Sequence, residues 1–294
     1  MNKNRAIVSW LILITLVLVW GTSFILIKKS LEYFTGTEVG LLRIVITFLF
    51  LLPLAVKPLK RLPVKLYLPF IVSGVVGSLL PALLFAIAET KISSSLAGTL
   101  NSLTPLFTLV IGVLFFHFKT HWFNILGVVI GLAGAVGLIY VSSGLDLKTG
   151  SVYSSLVILA SVCYAVNVNL VKHYFKSVNS LGITTLTFFF IGIPTLVYMV
   201  IFTGIPHKII TEPQSWVGLG YMAVLSVVGT GLALIIFNYL IKISTPVFAS
   251  SVTYMIPVVA ILWGVLDNEP FRLVYLIWVV LILGGVFLVN KKAS

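Results

Sequence analysis

The sequence AGTLNSLTPLFTLVIGVL at residues 97–114 returns in altered form about 150 residues later as ASSVTYMIPVVAILWGVL at residues 249–266. Each copy is an apolar run interrupted by one proline. Aligning Pro105 with Pro257 also aligns the alanine at the start and the Gly-Val-Leu at the end, so the register is fixed at both ends. Because proline lacks the N–H group that a helix interior uses, each copy is predicted to be a helix broken at its proline.

A second pair of matching segments lies upstream at the same offset. Val-Val-Gly-Ser at residues 75–78 corresponds to Val-Val-Gly-Thr at residues 227–230. Segments that repeat in one order and at one offset indicate a duplicated chain. We therefore predict two domains, residues 1–145 and residues 146–294, each of them one five-helix repeat.

The composition is that of an integral membrane protein. Hydrophobic residues make up 60% of the chain and charged residues only 9%, against about 25% charged residues in soluble domains. The net charge of +12 is carried by short segments between apolar runs, where it orients helices in a bilayer and does not indicate nucleic-acid binding. The single cysteine, Cys163, has no partner for a disulfide or a CxxC site.

Ten apolar runs of about 20 residues, the length that crosses a bilayer, follow one another with short connections. They cover residues 7–27, 37–56, 66–88, 94–116, 123–142, 152–171, 181–203, 216–240, 246–266 and 272–290. The first run follows Lys3 and Arg5, as in a signal peptide, but it is too long and lacks a cleavage motif, so we expect a retained span. The predicted fold is an all-α membrane protein of ten transmembrane helices.

The distribution of lysine and arginine predicts the orientation of these helices. With the amino terminus inside, twelve of these residues lie in inner segments and six in outer ones, so both termini are predicted to be cytoplasmic. Five spans is an odd number, so the second repeat would enter the membrane upside down. Inverted repeats place a substrate site near the midplane, at the interface of the halves, and operate by alternating access. This organisation favours a transporter over a channel or a structural bundle.

Polar and aromatic residues in the apolar spans are the candidate lining of a substrate pathway. A polar side chain has no partner in lipid, so it faces either a cavity or a neighbouring helix, and helix packing is the alternative role for every one of them. The fourth and ninth spans carry polar stripes, and Trp20 and Tyr164 occupy matching places in the first and sixth spans. The full predicted set is Trp20, Ser23, Ser78, Asn101, Thr104, Pro105, Tyr164, Asn167, Thr230, Asn238, Thr253, Tyr254, Pro257 and Trp263.

Arg43 is the only ionisable residue well inside a span. A charge there costs at least about 2.5 kcal/mol on insertion scales, so Arg43 is expected to be paired, to be buried in the bundle or to snorkel to the membrane surface. It either binds an anionic group of the substrate or satisfies backbone carbonyls of its own half. We favour the structural role, because its counterpart in the second half is Thr187.

No pattern of a metal site, a cofactor site or an enzyme is present in the sequence. The spacing of His117 and His121 suits a metal, but the residues around them offer no third ligand. Phosphate-binding, nucleophile and zinc-protease motifs are absent from the sequence, so we expect neither enzymatic activity nor a cofactor.

These features together resemble the drug/metabolite transporter superfamily in its ten-helix EamA-type branch, over the whole chain. WGTSF at residues 20–24 is similar to the first-helix signature of that family, and residues 42–44 are similar to its second-helix signature. Residues 264–269 resemble the acidic end of the ninth helix, and the first half departs from this pattern with His117 where Glu269 would map. The resemblance implies a plasma-membrane carrier that exports small metabolites such as amino acids through a central cavity. Family members differ widely in substrate.

The sequence thus predicts a secondary transporter in a bacterial inner membrane that moves small organic solutes, most of all amino acids, out of the cell. Its partners would be the solute and the lipid bilayer. A cationic drug exporter and an uncoupled channel are the alternatives. Every Asp and Glu is assigned to the outer loops or interface, so facilitated transport or solute exchange without proton coupling is expected. Glu89 is the residue most able to overturn that expectation, because a longer third span would bring it into the cavity.

Overall fold

The protein is a bundle of ten apolar helices, seen in a computed structural model that describes residues 3–60, 62–116, 120–142, 147–270 and 272–290. Within these residues every regular element is helical. The helices are α1 (Lys3–Ser30), α2 (Gly36–Lys60), α3 (Val64–Ala88), α4 (Ser94–Phe116), α5 (Trp122–Ser142), α6 (Leu147–Tyr174), α7 (Ser180–Phe202), α8 (Ser215–Ile243), α9 (Pro246–Leu266) and α10 (Val274–Asn290). A short helix, Ile205–Thr211, connects α7 and α8.

The helix lengths confirm the predicted all-α membrane fold. Among the described residues, α1 to α9 each contain an apolar window long enough to cross a bilayer. The apolar part of α10, Val274–Val289, is shorter than the other nine and begins two residues later than predicted. Large apolar side chains such as Val136, Val280 and Phe287 are exposed on the outside of the bundle, where lipid tails would cover them. The chain is a multi-pass membrane protein.

The two Val-Val-Gly segments form the same irregular structure. α3 widens into a π-helical turn at Val75–Leu79, and α8 does so at Val227–Leu232. In the first turn, a Cβ atom on Gly77 would collide with the side-chain amide of Asn167 on α6. In the second, a Cβ atom on Gly229 would lie 2.9 Å from the hydroxyl of Ser23 on α1. Glycine thus lets these turns closely approach a helix of the other half.

The two proline-bearing helices are broken where the sequence predicts. In α4, one helical segment ends at Asn101 and the next begins at Thr104. In α9, a 3₁₀ turn at Ser251–Tyr254 precedes the final segment, Ile256–Leu266. In both helices the proline lies at the second residue of the last segment, where a missing N–H group costs little.

The packing of the helices follows the duplication. Three helices of the first half pack on their own repeat counterparts: α2 on α7, α4 on α9 and α5 on α10. Likewise α3 packs on α6, and α1 packs on α8. Exchanging the two halves therefore leaves the three counterpart pairs unchanged and turns the α3–α6 contact into the α1–α8 contact. The direction in which each half crosses the bilayer remains a prediction, and the predicted domain boundary at 145/146 falls between described segments.

Candidate functional site

A central cavity lies between the two proline-broken helices and is closed by α1, α2, α3, α6 and α8. It holds about 840 Å³ of space between its lining atoms, opening included. Nine of the predicted pathway residues line it: Trp20, Ser23, Ser78, Asn101, Thr104, Tyr164, Asn167, Thr230 and Thr253. A mainly apolar cavity with a few converging polar groups is the usual form of a small-molecule site.

The breaks in α4 and α9 bring polar groups to the cavity wall. The Thr104 hydroxyl donates to the backbone carbonyl of Asn101 over 2.8 Å, and the Thr253 hydroxyl donates to the carbonyl of Ser250 over 2.9 Å. These local bonds supply donors to carbonyls beside the breaks. The side-chain amide of Asn101 is therefore the stronger candidate to contact a solute.

Two aromatic pairs border the cavity at corresponding positions of the repeat. The ring of Trp20 meets the ring of Phe237 edge to face at 4.8 Å, and Tyr164 stacks on Phe85 at 6.0 Å. Phe85 and Phe237 were not predicted as site residues, although they align at the same offset as the two prolines. The indole N–H of Trp20 donates to the carbonyl of Gly229 over 3.0 Å, so this ring is held in place.

Arg43 also lines the cavity, and its side chain is only 9% exposed. Its Nε atom donates to the Thr230 hydroxyl over 2.8 Å, and that hydroxyl donates to the carbonyl of Leu225 over 3.0 Å. The observed partner is therefore a hydroxyl of the second half, where the sequence interpretation favoured backbone carbonyls of its own half. Among the described lining residues, Arg43 is the only Arg or Lys, and no Asp or Glu is present.

The other five predicted residues lie off the central cavity. Tyr254 is one step around the helix from Thr253, so its hydroxyl reaches the carbonyl of Val286 on α10. Trp263 lies on the partly exposed side of α9, and its indole N–H donates to the hydroxyl of Thr22 on α1. Three more predicted residues are buried away from this cavity: Pro105, Pro257 and Asn238.

Asn238 lines a second, smaller pocket that adjoins the central cavity. The pocket holds about 240 Å³ between its lining atoms and shares Ser78 and Asn167 with the central cavity. The Asn238 amide donates to the Thr184 hydroxyl over 3.0 Å. This second pocket was not predicted, because α7 supplies much of its wall and has no polar stripe that stands out in the sequence.

A charged cluster ties α1, α4 and the end of α9 together. The Glu269 carboxylate accepts from Lys28 over 3.0 Å, from the Ser94 hydroxyl over 2.8 Å and from the Ser95 hydroxyl over 2.6 Å. Lys28 also pairs with Asp267 over 2.6 Å. Burial raises the pKa of Glu269, but the bonds from Ser95, Lys28 and Ser94 outweigh burial and hold the pKa below its usual range.

Glu89, directly after α3, is buried with 7% of its surface exposed. Neither of its carboxyl oxygens has a hydrogen-bond partner among the described residues. Burial, and then repulsion from Glu269, raise its pKa well above the usual range, and Arg43 and Lys28 only partly oppose this. Glu89 does not line the central cavity.

The sequence predicts no metal site at His117 and His121, and His117 lies outside the described residues. Within the described part of the chain, no three His, Cys, Asp or Glu side chains are grouped as metal ligands would be.

A model of the EamA-like transporter family matches residues 8–140 and 152–291. The chain is 27% identical over 261 residues to the uncharacterized inner membrane transporter YedA of Escherichia coli strain K12. The aligned region covers 86% of this chain and 80% of YedA. The chain is also 27% identical over 290 residues to the uncharacterized transporter YdfC of Bacillus subtilis strain 168. The aligned region covers 94% of this chain and 88% of YdfC. An uncharacterized transporter of Archaeoglobus fulgidus is 23% identical over 286 residues, or 97% of this chain and 99% of its own length.

A crystal structure superposes on 96% of this chain and 96% of its own with a TM-score of 0.66. At 17% sequence identity, this likeness shows the fold.

Proposed function

Because the chain belongs to the EamA-like transporter family, we propose that it is a secondary carrier for small organic metabolites that bear a carboxylate, most of all amino acids. The observation that carries the proposal is Arg43, which lines a cavity whose described walls contain no acidic side chain. A guanidinium is not deprotonated in proteins and binds carboxylates through paired hydrogen bonds. A cationic drug would meet a like charge there, and no carboxylate of the lining would balance it.

The surroundings of Arg43 suit the carboxylate and the apolar part of an amino acid. The bond from Nε to Thr230 fixes one edge of the guanidinium and leaves its terminal amino groups to receive a carboxylate. The last segment of α4 begins at Thr104 in the cavity wall, and the positive end of its helix dipole adds to the attraction. Trp20 and Tyr164 offer aromatic faces to the apolar part of the solute.

We further propose that transport proceeds by alternating access of two inverted repeats, residues 1–145 and 146–294, with both termini in the cytoplasm of a bacterium and with solute leaving the cell. Transport is facilitated, since the buried Glu89 carboxyl lies outside the described lining of the central cavity. A pH gradient across proteoliposomes with equal solute on both sides should therefore produce no net accumulation.

The test is counterflow of labelled amino acids into proteoliposomes, run beside a cationic dye. Arg43→Gln removes a charged hydrogen bond, so the half-saturating amino-acid concentration should rise roughly 10- to 150-fold. Arg43→Lys keeps the charge without the planar fork and should fall between Arg43→Gln and the wild type.

Dye transport without amino-acid transport would establish the drug-exporter alternative. Efflux that unlabelled amino acid on the far side does not accelerate would instead indicate a channel.

A further inference from the structure

The smaller pocket beside the central cavity occupies the place that Arg43 fills in the other half. Arg43 on α2 bonds Thr230 on α8. The repeat counterparts of these two residues are Thr187 on α7 and Ser78 on α3, and both line the smaller pocket. A threonine is much shorter than an arginine, so the second half has a recess where the first half has a guanidinium.

The recess is lined by hydrogen-bonding groups without charge. Its walls include Ser73, Ser78, Asn167, Thr184, Thr187 and Asn238. Thr187 is 6% exposed, and its hydroxyl has no hydrogen-bond partner among the described residues. An unpaired buried hydroxyl costs about 1–3 kcal/mol, so a partner from a solute would be favourable there.

Some of the other polar groups are already committed to one another. The Ser73 hydroxyl donates to Oδ1 of Asn167 over 2.6 Å, and Asn238 donates to the Thr184 hydroxyl. Asn167 and Ser78 also line the central cavity, so the recess opens directly beside the solute site. The recess is narrow and has room for a group about the size of a water molecule.

We propose that this recess is a specificity subsite that takes an uncharged hydroxyl of the solute, while Arg43 takes its carboxylate. This inference rests on the proposed function and narrows it to hydroxyl-bearing amino acids and similar hydroxy-carboxylates. The two halves differ here, because one carries a cation at Arg43 and the other a hydroxyl at Thr187. This difference sets the orientation of the bound solute.

The experiment measures competition in counterflow by two pairs of amino acids that match in size, threonine with valine and serine with alanine. A site built to bond a hydroxyl discriminates against the analogue that lacks it. In the wild type, threonine and serine should compete at concentrations about tenfold lower than valine and alanine. Thr187→Val keeps the shape and removes the hydroxyl, so both ratios should fall towards one, through weaker binding of threonine and serine.

Thr185→Val is the matched control, because Thr185 is buried two residues away on the same helix and bonds a backbone carbonyl outside the recess. It should keep the wild-type ratios. If Thr187→Val does not fold, the competition ratios of the wild type and of Thr187→Ala test the subsite instead.

Equal competition within each pair in the wild type would show that the recess holds only water, and the proposed carrier function would survive. If none of the four amino acids competes or is transported, the proposed function itself fails. If Thr187→Val weakens all four equally, the role of Thr187 is structural and the subsite is rejected.

Discussion

Glu89 is the residue whose ionisation should most affect the stability of this protein. Its pKa is raised in the folded protein, mainly because it is buried without a hydrogen-bond partner. Between its ordinary value of 4.5 and the raised value, the folded state therefore binds more protons than the unfolded state. The stability that protonated Glu89 provides is complete below the ordinary pKa and is lost as the pH rises through the raised one.

Glu89→Gln mimics the protonated carboxyl, so it should remove this loss of stability. Its melting temperature in detergent should match the wild type near pH 4.5 and exceed it by roughly 3 °C or more near pH 8. Scanning fluorimetry across this range measures the difference.

Glu32→Gln is the control, since Glu32 is half exposed and pairs only with Lys29. It should follow the wild-type slope. If the melting temperatures of Glu89→Gln and the wild type differ by the same amount at every pH, the Glu89 carboxyl is already paired in solution.

At the scale of helices, the pairing of α5 with α10 depends on glycine. A Cβ atom on Gly285 would lie 2.5 Å from the carbonyl oxygen of Gly127 and 2.5 Å from the backbone nitrogen of Gly131. Backbone atoms cannot move aside as a side chain can. Small residues at such positions let two membrane helices approach closely and gain van der Waals contact.

Gly285→Ala should therefore cost about 1–3 kcal/mol of stability, because α10 must shift away from α5. The substitution lies far from the central cavity, so amino-acid affinity in the folded fraction should not change. Melting temperature and counterflow affinity measure the two effects.

Gly284→Ala is a control at the adjacent residue, where a Cβ atom would meet nothing within 4 Å. It should be neutral or slightly stabilising. Equal melting temperatures for the two variants would contradict the close packing of α5 on α10.

At the scale of the whole molecule, the predicted inversion of the halves fixes which loops face the cytoplasm. Lys60 ends α2 and should be inside, whereas Lys148 is the second residue of α6 and should be outside. Single cysteines at these two positions, in a protein without Cys163, should react oppositely with a membrane-impermeant thiol reagent added to whole cells. Equal labelling at both positions would rule out the inverted duplication.

The membrane class, the ten helices and the helix breaks could be predicted from the sequence, because each follows from local properties of the chain. Hydropathy over about 20 residues identifies a span, and Pro105 and Pro257 each lack the N–H group that a continuous helix would use. The duplication added pairs of equivalent positions. Nine of the fourteen predicted pathway residues line the central cavity. A polar residue in the middle of a span must face either a cavity or another helix, which is why they could be predicted.

The neighbours of each side chain could not be predicted from the sequence, because they depend on how each helix is rotated and which helices pack on it. Tyr254 and Thr253 are adjacent in sequence, yet one reaches α10 and the other lines the cavity. Glu89 follows the end of an apolar span, a place typical of water-exposed residues, but it is buried in the bundle. The partner of Arg43 lies 187 residues away in the chain, and no local pattern carries information over that separation.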